Sequence, residues 1–208
     1  MNTDSKKTIF GIVMTANDYM DAFEKICKLT IKSPLKEEDT AFVLTKLCVK
    51  EPQFNQFYPH VACKLARSDR RFRMSIQCAI WDRTRDCISD KVKSQACINL
   101  ALFTSKLILE KVLTMSCLKK IEFADMNSNL TLYLRTLLKD ILKEDDDNER
   151  NAHFALISGN DKLSSLKESL RLFMHHFLLR SKKEKDPVMK RRIESAENAL
   201  LLSKNRTI

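Results

Sequence analysis

The sequence predicts an all-α protein, a stack of about ten antiparallel helices joined by short polar connectors. Only two glycines and four prolines occur in 208 residues, which leaves little material for the tight turns of β-hairpins. Apolar residues make up 44% of the chain, and they recur at the three-four spacing of amphipathic helices. The chain is therefore long and apolar enough to bury a core built from helices.

The first helices are predicted from caps and apolar faces. Residues 9–13 begin a short first helix, and Asn17 or Asp18 caps a second. The pair at 33–34, Ser-Pro, places a cap and a first-turn proline at the head of a third helix, which Pro52 closes.

The next three helices follow from the same kinds of signal. A fourth runs from about residue 55 to 66, where Pro59 is tolerable only in the first turn. Asp69 caps a fifth helix, and Asp90 caps a long sixth that extends to Leu113.

Beyond Leu113 the helical pattern continues to about residue 180. Apolar spacing predicts further helices over 118–123, 130–142, 154–157 and 163–179. Gly159 is placed as a left-handed C-cap, and the polar run 144–149 as a solvated loop. A last helix starts at Pro187, and its weak apolar face predicts loose docking.

Composition excludes several classes of function. Gly11 and Gly159 lie far apart, whereas Walker loops and dinucleotide fingerprints need clustered glycines. No run reaches the roughly 18 apolar residues of a membrane span. Seven cysteines without a C-x-x-C pair are typical of reduced core thiols. We expect no cofactor, no metal, no membrane and no small-molecule substrate.

No catalytic constellation can be assembled from the sequence. His175 and His176 are adjacent, hence about 100° apart on a helix, and cannot share one metal ion. His60 and Cys63 could share a helix face, but no orienting partner accompanies them. We therefore expect no enzyme.

The charge of the chain is strongly basic. There are 37 lysines and arginines against 27 acidic residues, a formal net charge of +10, which favours nucleic acid, anionic surfaces or acidic partners. Two basic sets could track a phosphate backbone. One is Lys64, Arg67, Arg70, Arg71 and Arg73; the other is Lys182, Lys183, Lys185, Arg191 and Arg192 in the tail. The alternative interpretation is that these are solvated cations at helix ends.

Several segments resemble the MI domain of the nucleolar scaffold-type ribosome-biogenesis family. They are residues 1–4, 9–10, 18–25, 51–58, 69–74 and 80–83, followed by 107–123 and 170–179. The Trp-Asp-Arg element at 81–83 and the His-Phe-Leu-Leu element at 176–179 look more like this family than like a related spliceosomal scaffold. Because members of the family are longer and pair a HEAT-like middle domain with the MI domain, we expect this chain to be a C-terminal piece.

The resemblance implies a HEAT-like organisation in three parts: an MI domain over 1–115, a helical C-terminal extension over 116–180, and a basic tail with a weak helix over 181–208. It implies a non-catalytic adaptor for a DEAD-box RNA helicase of the initiation-factor four-A class in small-subunit (18S rRNA) biogenesis. The expected location is the nucleus and nucleolus, with the pre-ribosomal particle and rRNA as further partners. The alternatives are an RNA-binding helical-repeat module and the MI domain of a spliceosomal scaffold.

The resemblance also suggests a contact site. In MI domains of the tumour-suppressor translation inhibitor, two acids in the connector before the last MI helix meet an arginine surface of the helicase. The corresponding residues here are Asp86 and Asp90, which have the same separation. The proline and leucine of that motif are missing, and Asp90 has a second possible role as an N-cap, worth about 1 kcal/mol.

Overall fold

The computed structural model describes residues 4–32, 36–87, 92–179 and 186–201, and within these ranges it contains no β-strand. The all-α prediction is confirmed. The first six helices are α1 (Asp4–Thr15), α2 (Tyr19–Lys32), α3 (Glu37–Lys50), α4 (Phe57–Ser68), α5 (Arg70–Cys87) and α6 (Ser94–Leu109). They are followed by α7 (Ser128–Leu142), α8 (Asp147–Ser158), α9 (Ser164–Phe173) and α10 (Pro187–Leu201). Short 3-10 helices occur at Met115–Lys120, Phe123–Asp125 and Asp161–Leu163, and a π-helical turn at Met174–Leu179.

Helices α1 to α6 form two layers. Helices α1, α3 and α5 pack side by side in one layer, and α2, α4 and α6 do so in the other. The layers are joined because α3 also packs on α6, and α4 on α5. This is the stack of helix pairs that the sequence predicts.

One apolar core runs through the described helices from α1 to α10. Helix α7 packs along α6, where the Tyr133 and Thr104 hydroxyls lie 3.2 Å apart. The fully buried Asn99 ties α6 to the end of α3, since its amide donates to the carbonyls of Cys48 at 3.1 Å and Glu51 at 2.8 Å. The core therefore does not stop where α6 ends.

Several predicted helix boundaries are confirmed. The Asp18 carboxylate accepts from the backbone N–H of Asp21 at 2.8 Å and so caps α2. Asp69 accepts from the N–H of Arg71 at 2.7 Å at the start of α5. Pro59 is the third residue of α4, within the first turn, and Pro187 begins α10. The predicted caps at 33–34 and at Asp90 lie outside the described residues.

The predicted left-handed cap at Gly159 is wrong, because Gly159 has φ −81° and is right-handed. Among the residues that the structure describes, the left-handed conformation occurs instead at Lys111, with φ 57°, just after α6. There the N–H of Val112 donates to the Leu107 carbonyl at 3.0 Å and that of Lys111 to the Ile108 carbonyl at 2.9 Å, which is a Schellman ending. Helix α6 therefore ends at Leu109 and not at Leu113.

Two predictions about the last third of the chain also need correction. Not all of the run 144–149 is loop, because Asp146 accepts from the N–H groups of Asn148 and Glu149 and starts α8. Helix α10 is not loosely docked, since Ile193 and Leu200 are fully buried where it packs on α8.

Candidate functional site

Helix α5 carries half of the predicted contact residues that the structure describes, Asp86 and three arginines of the basic cluster. Phe72, Ile76, Ile80 and Thr84 follow one another every four residues and are all buried. This single buried face fixes the helix in the stack and leaves two flanks accessible to ligands. One flank is acidic near the end of the helix, and the other is basic near its start.

The acidic flank contains Asp86, which is exposed on the last turn of α5. Its carboxylate forms an ion pair with Arg83 at 2.8 Å and keeps 53% of its side-chain area exposed. Asp82 lies one turn earlier on the same flank, with 63% exposed and a loose 3.7 Å contact to Arg85. Sequence reasoning did not single out Asp82 as a contact, although its i, i+4 spacing to Asp86 was the available signal. Asp90 lies outside the described residues.

Arg83 is anchored on an aromatic ring. Its guanidinium carbon lies 5.3 Å from the centroid of Phe42, whose ring also carries Lys6 at 4.6 Å and Lys46 at 5.1 Å. Beside this ring, α1, α3 and α5 line a cavity of about 370 Å³ that contains the exposed Cys78. Arg83 therefore orients Asp86 from a fixed position, and the outer carboxylate oxygens can accept hydrogen bonds from a partner.

Two members of the predicted basic cluster are already paired. Arg67 donates to the carbonyl and to the carboxylate of Glu110, both at 2.8 Å, and Lys106 contacts the same carboxylate at 3.0 Å. Arg71 contacts Asp69 at 2.8 Å and Glu37 at 3.1 Å. Hydrogen bonds from Arg67 and Lys106 hold the pKa of Glu110 below its usual value. Arg67 and Arg71 are thus paired with acidic residues of the protein itself and are less available to bind an anionic ligand.

Other members of the cluster form no ion pair with any described residue. Arg70 and Arg73 are exposed, lie one turn apart on the basic flank, and line a cavity of about 220 Å³. Lys64 is half-buried on α4. Arg70 and Arg73 are therefore available to a ligand, whereas Arg67 and Arg71 are already paired. The sequence alone places all four in one basic cluster.

The basic tail is described only in part. Lys182, Lys183 and Lys185 lie outside the described residues. Arg192 donates to the carbonyls of Leu142 at 3.2 Å and Lys143 at 3.0 Å and to the Asp145 carboxylate at 2.6 Å, so it covers the end of α7. Arg191 is exposed.

The histidine and cysteine residues considered as catalytic candidates have the following surroundings in the described part of the chain. Burial raises the pKa of the Cys63 thiol to about 11, so it stays protonated at neutral pH. His60 packs its ring against Tyr19, and His175 lies 3.9 Å from Glu197. Across the described ranges, no cluster of three histidine, cysteine or acidic residues could hold a metal ion, and no helix is suited to cross a membrane.

Comparison with known proteins gives a consistent result. The family model of the MA3 (MI) domain matches residues 5–114. Nucleolar MIF4G domain-containing protein 1 of Homo sapiens is 36% identical over 87% of this chain and 21% of its own length. Its homolog in Drosophila melanogaster is 34% identical over 86% of this chain and 20% of its own length. Suppressor of glycerol defect protein 1 of Saccharomyces cerevisiae is 28% identical over 66% of this chain and 18% of its own length.

The chain spans about a fifth of the length of these relatives. The resemblance to an MI domain of the nucleolar family is confirmed by these matches. The names of the human and fly relatives agree with the predicted nuclear and nucleolar localisation.

Proposed function

Because the chain belongs to the MA3 domain family, we propose that it is a non-catalytic adaptor that binds a DEAD-box RNA helicase of the initiation-factor four-A class. It would act in the nucleolus during small-subunit (18S rRNA) biogenesis, on the pre-ribosomal particle. The nucleolar names of the relatives support the setting. The observation that carries the contact is the exposed carboxylate pair Asp82 and Asp86, which ends at the connector where the family resemblance places its acids.

The geometry suits arginine groups of a partner. Asp82 and Asp86 are one helical turn apart, so two guanidinium groups can be accepted side by side, each in a bidentate manner. Arg83 occupies one side of Asp86, and its anchoring on Phe42 keeps the carboxylate from rotating freely. A partly desolvated contact of this kind resists salt better than a set of solvated phosphate contacts does.

The test is a titration of the 208-residue chain against a recombinant helicase of this class at two salt concentrations. We expect saturable binding that survives the higher salt. The double variant D82K/D86K should bind at least roughly 30-fold more weakly, the range seen when one side of a close charge pair is removed. Its helix content by circular dichroism should be nearly unchanged.

A matched control separates contact from bulk charge. D125K/D161K makes the same change in charge at two exposed positions in 3-10 turns outside α5. It should bind the helicase as the native chain does. Equal weakening by both double variants would show that the acidic flank of α5 is not the contact site. An absence of binding by the native chain would contradict the helicase function itself.

RNA is a second candidate ligand, favoured by Arg70 and Arg73, which are exposed and form no ion pair with a described residue. They and the acidic pair lie on different flanks of α5, so RNA and helicase need not compete for one surface. The spliceosomal alternative gains no support from the relatives reported above.

A further inference from the structure

We propose that a groove between α5 and residues 112–122 binds single-stranded RNA by its phosphate backbone. We call it the α5 groove. It forms because the chain turns at the left-handed Lys111, just after α6, and the following 3-10 turns pack along α5. The inference rests on the cavities, cations and aromatic ring of this groove and does not depend on helicase binding.

The groove contains two consecutive cavities. The cavity of about 220 Å³ at the start of α5 is lined by Arg70, Arg73 and Gln77, and by Thr114 and Ser116 on the opposite side. The second, of about 380 Å³, is lined by residues that include Trp81, Arg85 and Lys120. Gln77 and Trp81 are one helical turn apart, so the two cavities follow each other along the same flank. From Arg70 to Arg85 the groove extends roughly 22 Å along the helix axis.

Trp81 joins the two halves of the groove. Its indole N–H donates to the carbonyl of Cys117 at 2.5 Å, which fixes the ring against the opposite segment. The ammonium groups of Lys119 and Lys120 lie 5.6 Å and 6.0 Å from the ring centroid. Cation–π attraction thus holds two further positive charges at the rim of the groove.

The charge of the groove matches a polyanion. Five cations lie along it: Arg70, Arg73, Arg85, Lys119 and Lys120. Glu122 lines the second cavity, and Asp82 lies 3.7 Å from Arg85. Cations therefore outnumber acids, and the excess is greatest at Arg70 and Arg73.

RNA explains this surface better than an acidic peptide does. The Thr114 and Ser116 hydroxyls hydrogen-bond each other at 2.6 Å, so the one that accepts this bond keeps its own O–H to donate to a phosphate oxygen beside the planar guanidinium groups. An aromatic side chain set among cations is typical of single-strand binding grooves. A backbone with one charge per nucleotide also matches cations distributed along the full length of the groove.

The experiment titrates a labelled 12-nucleotide oligouridylate with the 208-residue chain at three salt concentrations. We expect saturable binding with a slope of log affinity against log salt of about −3, as four phosphate contacts on a single strand would give. Trp81 is the only tryptophan in the chain, so its quenching by unlabelled oligonucleotide should saturate with the same midpoint.

Charge reversal inside the groove should be specific. R70E/R73E should weaken binding about tenfold or more and reduce the salt slope by about 1.4, since two phosphate contacts are lost. K119E/K120E should act similarly. All four residues are exposed, and circular dichroism of each variant should match that of the native chain.

The control is K7E/K28E, which makes the same change in charge at exposed positions on α1 and α2, away from the groove. We expect this variant to bind within about twofold of the native chain, because it loses no phosphate contact. If it weakens binding as much as R70E/R73E does, only the net charge matters and the groove is not the site. Tighter binding of a polyglutamate peptide than of RNA would assign the groove to a protein ligand, and a lack of saturation would overturn the proposal.

Discussion

Helices α1 to α6 and helices α7 to α10 are stabilised in different ways. In the first region each helix has neighbours in its own layer and in the opposite one, and the N-cap residues of α3, α4 and α6 make no side-chain cap hydrogen bond. In the second region Asn127 caps α7, Asp146 caps α8, and Arg192 covers the end of α7. Side-chain caps occur in the first region too, at Asp18 for α2 and Asp69 for α5, but α3, α4 and α6 show that a stacked helix can form without one, whereas α7 and α8 both have one.

The seam between α6 and α7 determines whether the two regions unfold together. Tyr133→Ala removes a fully buried aromatic side chain at this seam and should lower the free energy of unfolding by about 3–5 kcal/mol. The measurement is urea unfolding followed by far-UV circular dichroism and by Trp81 fluorescence, since Trp81 lies in the first region. Coincident transitions in the native chain would show one cooperative unit. Two separate transitions would show that the two regions unfold independently in spite of this seam.

Polar contacts within the second region should have the next largest effect. Arg150 on α8 is 1% exposed, donates to the carbonyl of Glu144 at 2.8 Å, and is hydrogen-bonded to the Asp147 carboxylate. Arg150→Ala should cost about 3 kcal/mol, because it leaves a cavity and an unpaired carbonyl. Arg150→Met fills the volume and should cost less. Equal losses for both variants in urea unfolding would assign the effect to the hydrogen bonds alone.

The junction between the regions offers a stabilising change. Lys111 has a left-handed backbone and forms an ion pair with Glu149 at 2.5 Å, both side chains being more than half exposed. Lys111→Gly should raise the free energy of unfolding by about 0.5–1 kcal/mol, since glycine relieves the backbone penalty and an exposed pair contributes little. Lys111→Ala loses the same pair without that relief. It should therefore unfold at lower urea than the native chain, and a Lys111→Gly variant that also unfolds at lower urea than the native chain would show that the ion pair dominates.

The smallest expected effect is on pH dependence in the second region. Burial, aided by the charge of Lys111, holds the pKa of His153 on α8 below its usual value. The unfolded chain then binds the proton more readily, so stability is retained above about pH 6.5 and is lost as pH falls from there towards the lower pKa in the folded state. His153→Gln should make the urea midpoint less sensitive to pH between 7 and 5. An identical pH profile for variant and native chain would contradict this role.

Structural features that depend on residues within one helical turn were predictable from the sequence. The caps Asp18 and Asp69 and the position of Pro59 were predicted because each depends on partners a few residues away. Gly159 and Lys111 show where this reasoning ends. Glycine permits a left-handed residue without requiring one, and lysine can be forced into that conformation by the packing on either side.

Only those features of the candidate site that depend on neighbouring residues in the sequence were predictable. The exposure of Asp86 follows from its place at a helix end. The pairing of Arg67 depends on Glu110, 43 residues later, and no spacing rule indicates it. The α5 groove likewise requires the residues after α6 to fold back along Trp81, which is a tertiary effect.

The exposed thiol of Cys78 makes the acidic flank of α5 open to chemical labelling. Cys48, Cys63, Cys97 and Cys117 are buried, and burial raises the pKa of Cys48, Cys63 and Cys117 as well. Among the cysteines whose side chains the structure describes, Cys78 should therefore react first with a maleimide dye. Such a dye would lie one helical turn from Asp82. The native sequence thus already contains an attachment point for an optical reporter of whatever binds beside it.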